Sequence, residues 1–287
     1  MGTLYLVATP IGNLEDISMR ALHVLRTASL IAAEDTRQTH KLLQRYDIAA
    51  PLISYHEHNK LSRVNKILDV LAGGDIALVS DAGTPGLNDP GYELVAEVLA
   101  AGYAVSAIPG PSAPIMALVI SGLPTDAFLY LGYLPRKSSE RRRKLEEISA
   151  LPYTLIFLET PHRLRESLLD LDAGLGNRQI AVARELTKIH EQVFRGTIQQ
   201  ARDYFEQNEP RGEFTLVIGG KALQEEGPWS EEQLLNSLSE GLKSEKPLSQ
   251  IAGEIAAKSG WQRREIYRIA GEMKHKRSDG MKHDESG

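Results

Sequence analysis

The chain contains no cysteine, which excludes disulfides, thiolate catalysis and cysteine-ligated zinc and fits a reducing cytoplasm. No apolar stretch reaches the roughly 18–20 residues needed to cross a bilayer. The first residues, MGTLYLVATP, lack the basic start and long apolar core of a secretory signal. The expectation is a soluble, cytoplasmic protein. Excess positive charge is missing too: 33 Lys and Arg face 38 Asp and Glu, a formal net charge of −5. Any nucleic-acid role therefore rests on local patches rather than on a global field. Neither G-x-x-x-x-G-K-[ST] nor G-x-G-x-x-G occurs, so the usual phosphate-cradling loops are absent.

What is present is an α/β pattern. Of 287 residues, 42% are hydrophobic and 25% charged, which suits one large or two ordinary globular domains. Over residues 1–120, short β-branched runs (3–9, 30–34, 51–56, 75–81, 103–110) alternate with helical patterns. That alternation implies right-handed crossovers and a mostly parallel sheet. A second α/β domain is expected over 121–222, with strand candidates at 127–134, 153–159, 179–185, 190–196 and 214–220. The two near 179–196 are close enough to pair antiparallel, giving a mixed sheet. A cleft between the domains is expected. Residues 228–277 read as a small all-helical unit, and 278–287 as a polar, disordered tail.

Three strands end in turns dense in glycine and proline: VATPIGNLED (7–16), VSDAGTPGLNDPG (79–91) and IPGPSAP (108–114). In parallel sheets, ligands bind where such loops meet at the carboxyl ends of the strands. Glycine admits close approach of a ligand and proline fixes the loop in advance. No lysine or arginine lies in these three turns, so the crevice suits a neutral or cationic ligand better than a phosphate.

The motifs T-P-I-G-N-L, A-E-D-T-R (33–37), L-V-S-D-A-G-T-P-G-L-N-D-P-G (78–91), P-G-P-S-A (109–113), G-Y-L-P-R-K (132–137), E-T-P-H-R (159–163) and A-R-E-L-T-K (183–188) occur in this order. Together they closely resemble the ribosomal RNA small-subunit ribose 2′-O-methyltransferase I family, one of the tetrapyrrole-methylase-like S-adenosylmethionine enzymes. The resemblance is strong over residues 1 to about 220 and looser beyond. It implies S-adenosylmethionine held between two α/β domains, with a cytidine ribose in the decoding region of small-subunit (16S) ribosomal RNA as acceptor. It also implies a homodimer. Carried onto this chain, the donor site comprises Pro10, Ser80, Asp81, Ala82, Gly83, Thr84, Pro109, Gly110, Ser112 and Ala113. Glu159 and the segment Arg211, Gly212, Glu213 complete it from the second domain. Many relatives have G-D-P where this chain has Ser80-Asp81-Ala82.

A ribose hydroxyl is a weak nucleophile, and a placed base adds about 10²–10⁴-fold. Glu34, Asp35 and Arg37 are expected to shape the acceptor pocket, with the base itself unassigned. Asp35 also suits the cap of the helix that follows. Other acid–base candidates are His56, Glu57, His58, His162, Glu185 and Lys188. His56 and His58 are two apart, so in an extended segment they would share a face; no metal is expected there. Glu159 with Arg163, and Arg184 with Glu185, also suit structural ion pairs.

For RNA, RKSSERRRK (136–144) carries six basic residues and one acidic. Arg136, Lys137, Arg141, Arg142, Arg143 and Lys144 are candidate phosphate contacts. Residues 249–270 read as a helix-turn-helix or a plain helical hairpin. Arg263 and Arg264 there are further RNA candidates, with Trp261 or Tyr267 available for stacking. Two other readings compete: a methyltransferase of the same fold acting on a small molecule such as a tetrapyrrole, and a non-catalytic helix-turn-helix regulator. The basic segments weigh against the first, and over 200 residues of loop-rich α/β sheet against the second.

Overall fold

The computed structural model describes residues 1–56, 60–89, 91–222, 229–244 and 246–283, with the side chains of 60–62 and 274–283 left aside. Glu57 and His58 lie outside the described residues. Met1–Lys221 form one compact unit and Ala222–Gly287 a second.

The first sheet has five parallel strands, β1 (Thr3–Val7), β2 (Leu30–Ala33), β3 (Leu52–Ser54), β4 (Ile76–Val79) and β5 (Ala104–Ile108), in the order β3-β2-β4-β1-β5. β2 and β4 are apolar and buried at every position because both faces are covered. Ile31, Ala33, Ala77 and Val79 pack toward α1 (Met19–Thr27) and α2 (Thr36–Arg45). Leu30, Ala32, Ile76 and Leu78 pack toward α3 (Lys60–Leu71) and α4 (Gly91–Ala100). The period of two in side-chain direction thus sorts each strand between two cores. Ser18 caps α1 by accepting the Ala21 N–H at 3.1 Å, and Asp35 caps α2 by accepting that of Arg37 at 2.8 Å.

Strand order places the site. β1 leads through α1, on one face, to β2, whereas β4 leads through α4, on the other face, to β5. β1 and β4 are neighbours, so the two connections diverge and leave a crevice beyond their carboxyl ends.

The second sheet contains β6 (Phe128–Tyr133), β7 (Thr154–Glu159), β8 (Gln179–Arg184), β9 (Gln192–Thr197) and β10 (Phe214–Ile218), ordered β6-β7-β10-β8-β9. β6 and β7 are parallel and the remaining pairs antiparallel. One face is covered by α6 (Ser138–Ile148), α7 (Pro161–Leu175) and α8 (Ile198–Gln207). The other receives α5 (Ala113–Ser121), whose Ala117 and Leu118 meet Ile156, Ala181, Ala183 and Val217. Alanines on both sides allow the helix to approach closely. Since α5 starts in the loop after β5 yet lies on the second sheet, the expected boundary at residues 120 and 121 falls inside a helix, and both sheets belong to one compact unit.

The second unit comprises α9 (Glu231–Gly241), α10 (Leu248–Ser259) and α11 (Arg263–His283), packed through Leu234, Leu238, Ile251, Ile255, Ile266 and Ile269. Gly260, at φ 68°, turns the chain between α10 and α11. α11 continues past residue 277 to His283, since no proline interrupts it, so the tail expected to be disordered is helical that far. Trp261 donates its indole N–H to the Trp229 carbonyl at 2.6 Å and packs against this core. It is therefore a structural residue rather than a base-stacking platform. Tyr267 stays at the surface with the Arg263 guanidinium 6.0 Å from its ring centroid.

Candidate active site

The tips of β1, β4 and β5 converge. Thr9 and Gly83 exchange backbone hydrogen bonds at 2.9 and 3.0 Å, which ties the first loop to the second. Gly83 sits at φ 81°, a conformation that side chains resist. Thr84 donates its hydroxyl to the Pro111 carbonyl at 3.1 Å, which ties the second loop to the third. A Cβ on Gly110 would stand 2.9 Å from the Ala8 Cβ, so that glycine lets the first and third loops touch.

Around these tips lies a cavity of about 270 Å³. The first sheet contributes Glu34, Ser80–Thr84, Ser112 and Ala113 to its wall, and the second sheet Glu159, Glu213 and Thr215. Most of the expected donor residues are thus brought together. Pro10 instead lines an adjoining cavity, while Pro109, Gly110 and Gly212 line neither. Gly212 has a supporting part: its φ is 87° and a Cβ there would stand 2.5 Å from Glu185.

The first cavity is acidic. Glu34, Asp81, Asp89, Glu159 and Glu213 face it, and no lysine or arginine does among the described residues. Glu159 is 2% exposed and satisfied internally. It accepts from the Thr160 N–H at 2.8 Å and the Ser167 hydroxyl at 2.6 Å, with Arg163 at 3.4 Å. Of the two readings of Glu159, the structural ion pair is the one this geometry carries. The β2 and β4 tips are cross-linked: Asp81 N–H donates to Glu34 at 3.2 Å, and Asp35 N–H donates to Asp81 at 2.9 Å. Burial pushes the Glu34 carboxyl above its ordinary range; the Asp81 N–H pulls it down, and the nearby Asp81, Asp89 and Asp35 charges push it up further. Burial likewise raises Asp81, opposed by the Asp35 N–H, with the Asp35 charge raising it and Arg37 lowering it.

Asp35 and Arg37 are engaged with each other. Arg37 makes a two-pronged contact to the Asp35 carboxylate at 3.0 and 2.7 Å, which holds that carboxyl at about 2. Neither residue lines either cavity. Both are engaged in capping α2, where the first-turn arginine folds back on its own cap. Lys188 is also occupied, with both Glu185 and Glu213 at 3.0 Å. Burial opposes ionisation of Glu185, but hydrogen bonds from Lys188 and the Glu213 N–H outweigh it and hold its carboxyl low.

Tyr130 and Tyr133 are not expected from the sequence pattern. Three apart on a regular strand, they would face opposite sides. The register of β6 against β7 shifts between them, with Gly132 at φ 63°, and both line the cavity. A Cβ on Gly132 would stand 2.6 Å from the Asn88 amide, so the bulge also admits the 80–91 loop. The glycine inside an aromatic strand was the available signal. Burial, then Tyr133, pushes the Tyr130 phenol up to about 12. Difference ultraviolet titration of the protein against Tyr130→Phe should show one phenol ionising near 12; ionisation near the ordinary value of about 10 would mean that Tyr130 is solvated. The unfolded chain loses this proton first, so the stability it confers fades between about 10 and 12 as pH rises.

The basic run divides. Arg136, Lys137, Arg142 and Arg143 are exposed and Lys144 half-buried, but Arg141 is 1% exposed. Arg141 pairs with Asp170 at 2.5 Å and donates to the Pro135 and Arg136 carbonyls at 3.3 Å. It holds the L-P-R-K turn in place and is withdrawn from any phosphate track. In the second unit, Arg263 and Arg264 are exposed.

Comparisons with known proteins agree with this architecture. The family described as Tetrapyrrole (Corrin/Porphyrin) Methylases matches residues 3–202. A cobalt precorrin-4 methyltransferase aligns at TM-score 0.58 with 16% identity, over 76% of this chain and 94% of the other. The methyltransferase CobJ aligns at TM-score 0.57 with 18% identity, over 80% and 98%. At such identities the likeness concerns the fold. Closer in sequence is "Ribosomal RNA small subunit methyltransferase I" of Synechocystis, 48% identical over 95% of this chain and 99% of the relative. Proteins of that name from Halalkalibacterium halodurans and Escherichia coli O157:H7 are 46% and 45% identical, covering 93% and 94% of this chain and 94% of each relative. The chain belongs to the ribosomal RNA small subunit methyltransferase I family, within the tetrapyrrole methylases.

Proposed function

We propose that the protein transfers a methyl group from S-adenosylmethionine to the 2′-oxygen of a cytidine ribose in the decoding region of small-subunit ribosomal RNA. The observation that carries this reading is the first cavity: acidic, free of lysine and arginine among the described residues, and set at the switch point of a parallel sheet. When bound, S-adenosylmethionine supplies an activated methyl on a cationic sulfonium. A wall of carboxylates favours that cation and disfavours a polyphosphate. Ser80–Thr84, Ser112 and Ala113 form one side of the donor site, with Glu213 and Thr215 opposite. Tyr130 adds half-buried apolar ring surface. The protein's main task is to align the acceptor oxygen with the methyl, since the donor brings its own driving force. A tetrapyrrole acceptor has support from the solved neighbours only at the level of fold, and the names of the relatives at 45–48% identity favour RNA.

The test is to incubate small ribosomal subunits from cells lacking the gene with the protein and S-adenosylmethionine, then map modified fragments by mass spectrometry. One added methyl on a decoding-region cytidine ribose is expected; methyl on a base, or on no RNA fragment, would refute the reading.

RNA is held by Arg136, Lys137, Arg142, Arg143 and Lys144 beside α6, and by Arg263 and Arg264 on α11. Replacing Arg142 and Arg143 by alanine should weaken subunit binding and flatten its salt dependence by about 0.7–0.9 for each phosphate no longer neutralised. An unchanged slope places the track elsewhere. We take the working form to be a homodimer.

A further inference from the structure

Two cavities meet at one turn. Beside the first lies a second of about 300 Å³, whose wall includes Pro10, Leu14, Gln38, Lys41 and Leu42. The residues common to both are Ser80 and Asp81. Asp81 is thus the ionisable side chain on the shared wall; Glu34 lines the first alone and Lys41 the second alone. The second cavity has the composition of a nucleoside site. Pro10, Leu14 and Leu42 offer apolar surface to a base, and Gln38 and Lys41 offer donors to its edge or to a phosphate. Its volume matches the lower end for small-molecule sites, about 300 Å³. A wider cleft of about 750 Å³, along Gly12–Glu15 and Glu185–His190, shares no lining residue with the first cavity. A group bound there would have no wall in common with the donor.

We infer that the second cavity receives the acceptor nucleoside and that the Asp81 carboxylate takes the proton from its 2′-hydroxyl. This rests on the reading of the first cavity as the donor site. The O–H bond of the ribose breaks and its proton moves to a carboxylate oxygen of Asp81. The oxygen pair released forms the bond to the methyl carbon, and the C–S bond breaks with its pair remaining on sulfur. A cationic sulfonium and a carboxylate become a neutral thioether and a carboxylic acid, which afterwards returns its proton to water.

Asp81 is positioned for this. The Asp35 N–H at 2.9 Å fixes one carboxylate oxygen, Oδ1, and the Asp81 N–H is tied to Glu34. The charged groups around it are Glu34, Asp35 and Arg37 from the β2 tip and α2, and Lys41 from α2 at the second cavity. The Asp81 side chain is exposed and open to a ligand; partial burial raises its carboxyl, and the Asp35 charge adds to this against the Asp35 N–H and Arg37. Glu34 is raised as well, but it faces the donor side alone.

Three variants of the full-length protein test the assignment, read by donor calorimetry, small-subunit binding and single-turnover methylation across pH. With S-adenosylmethionine at saturation, Asp81→Asn should bind subunits as the parent does, yet transfer methyl about 10²–10⁴-fold more slowly. The acid limb of its pH profile should vanish, whereas Glu34→Gln should retain that limb. Gln38→Trp, at an exposed position on α2, should fill the second cavity, leaving donor binding intact and abolishing transfer. Parental transfer by donor-saturated Asp81→Asn, survival of its acid limb, or parental transfer by Gln38→Trp would each overturn the inference. Failure of the parent itself to bind S-adenosylmethionine would instead sink the donor reading beneath it.

Discussion

Asp170→Ala is expected to lower the stability of the first unit by about 3–5 kcal/mol, the usual cost of leaving a buried charge without its partner. Arg141 and Asp170 are both nearly inaccessible, with side chains 2% and 3% exposed. Asp170 also accepts from the Ser138 hydroxyl at 3.0 Å and from Arg142 at 2.7 Å. Its loss strands a guanidinium that holds the turn between β6 and α6. Urea unfolding should show the drop, and Asp170→Ala combined with Arg141→Met should recover much of it. A loss below about 1 kcal/mol would place the pair in the weak, solvent-screened class. Burial alone would raise the Asp170 carboxyl, but hydrogen bonds from Arg142, Ser138 and Arg141 outweigh it and hold it low. The stabilisation is therefore complete above the ordinary aspartate range and fades as pH falls through the lowered value. The variant should lose that acid-sensitive component.

Gly110→Val should reduce S-adenosylmethionine affinity on the order of 100-fold, the size of effect that a misplacement of about 1 Å produces in a positioned site. A Cβ at 110 already stands 2.9 Å from the Ala8 Cβ and 3.4 Å from the Ala8 carbonyl oxygen. Valine adds two methyl groups, so the β5 loop must move off β1, carrying Ser112 and Ala113 with it. Far-ultraviolet circular dichroism should stay parental, since Gly110 lies outside the strands and helices. Parental donor affinity would mean that the β5 tip does not shape the donor site.

Much of this architecture is legible in the sequence. Fully apolar runs such as Ile76–Val79 announce a strand covered on both faces, and each of the ten expected strands forms. Glycine- and proline-dense turns after β1, β4 and β5 announce the converging tips. Less legible is whatever depends on a partner remote in sequence. Arg141 reads as one more charge in a solvated run until α7 brings Asp170 beneath it. Trp261 reads as an aromatic free to stack until the Trp229 carbonyl captures its N–H. The place of α5 depends on alanines at 117, 181 and 183, whose smallness has no meaning until helix and sheet are stacked. Tyr130 and Tyr133 needed a bulge, and only Gly132 hinted at it. Asp35 and Arg37 were legible as a cap, but cap and acceptor contact use the same residue types.

Donor binding, acceptor placement and the role of Asp81 all depend on one cavity holding one ligand. A crystal structure of the protein soaked with S-adenosylmethionine measures this directly. The prediction is a ligand between Ser80–Thr84 and Ser112 on one side and Glu213–Thr215 on the other, with its methyl directed toward Asp81. A ligand seated elsewhere, or one whose methyl points away from the shared wall, would contradict it.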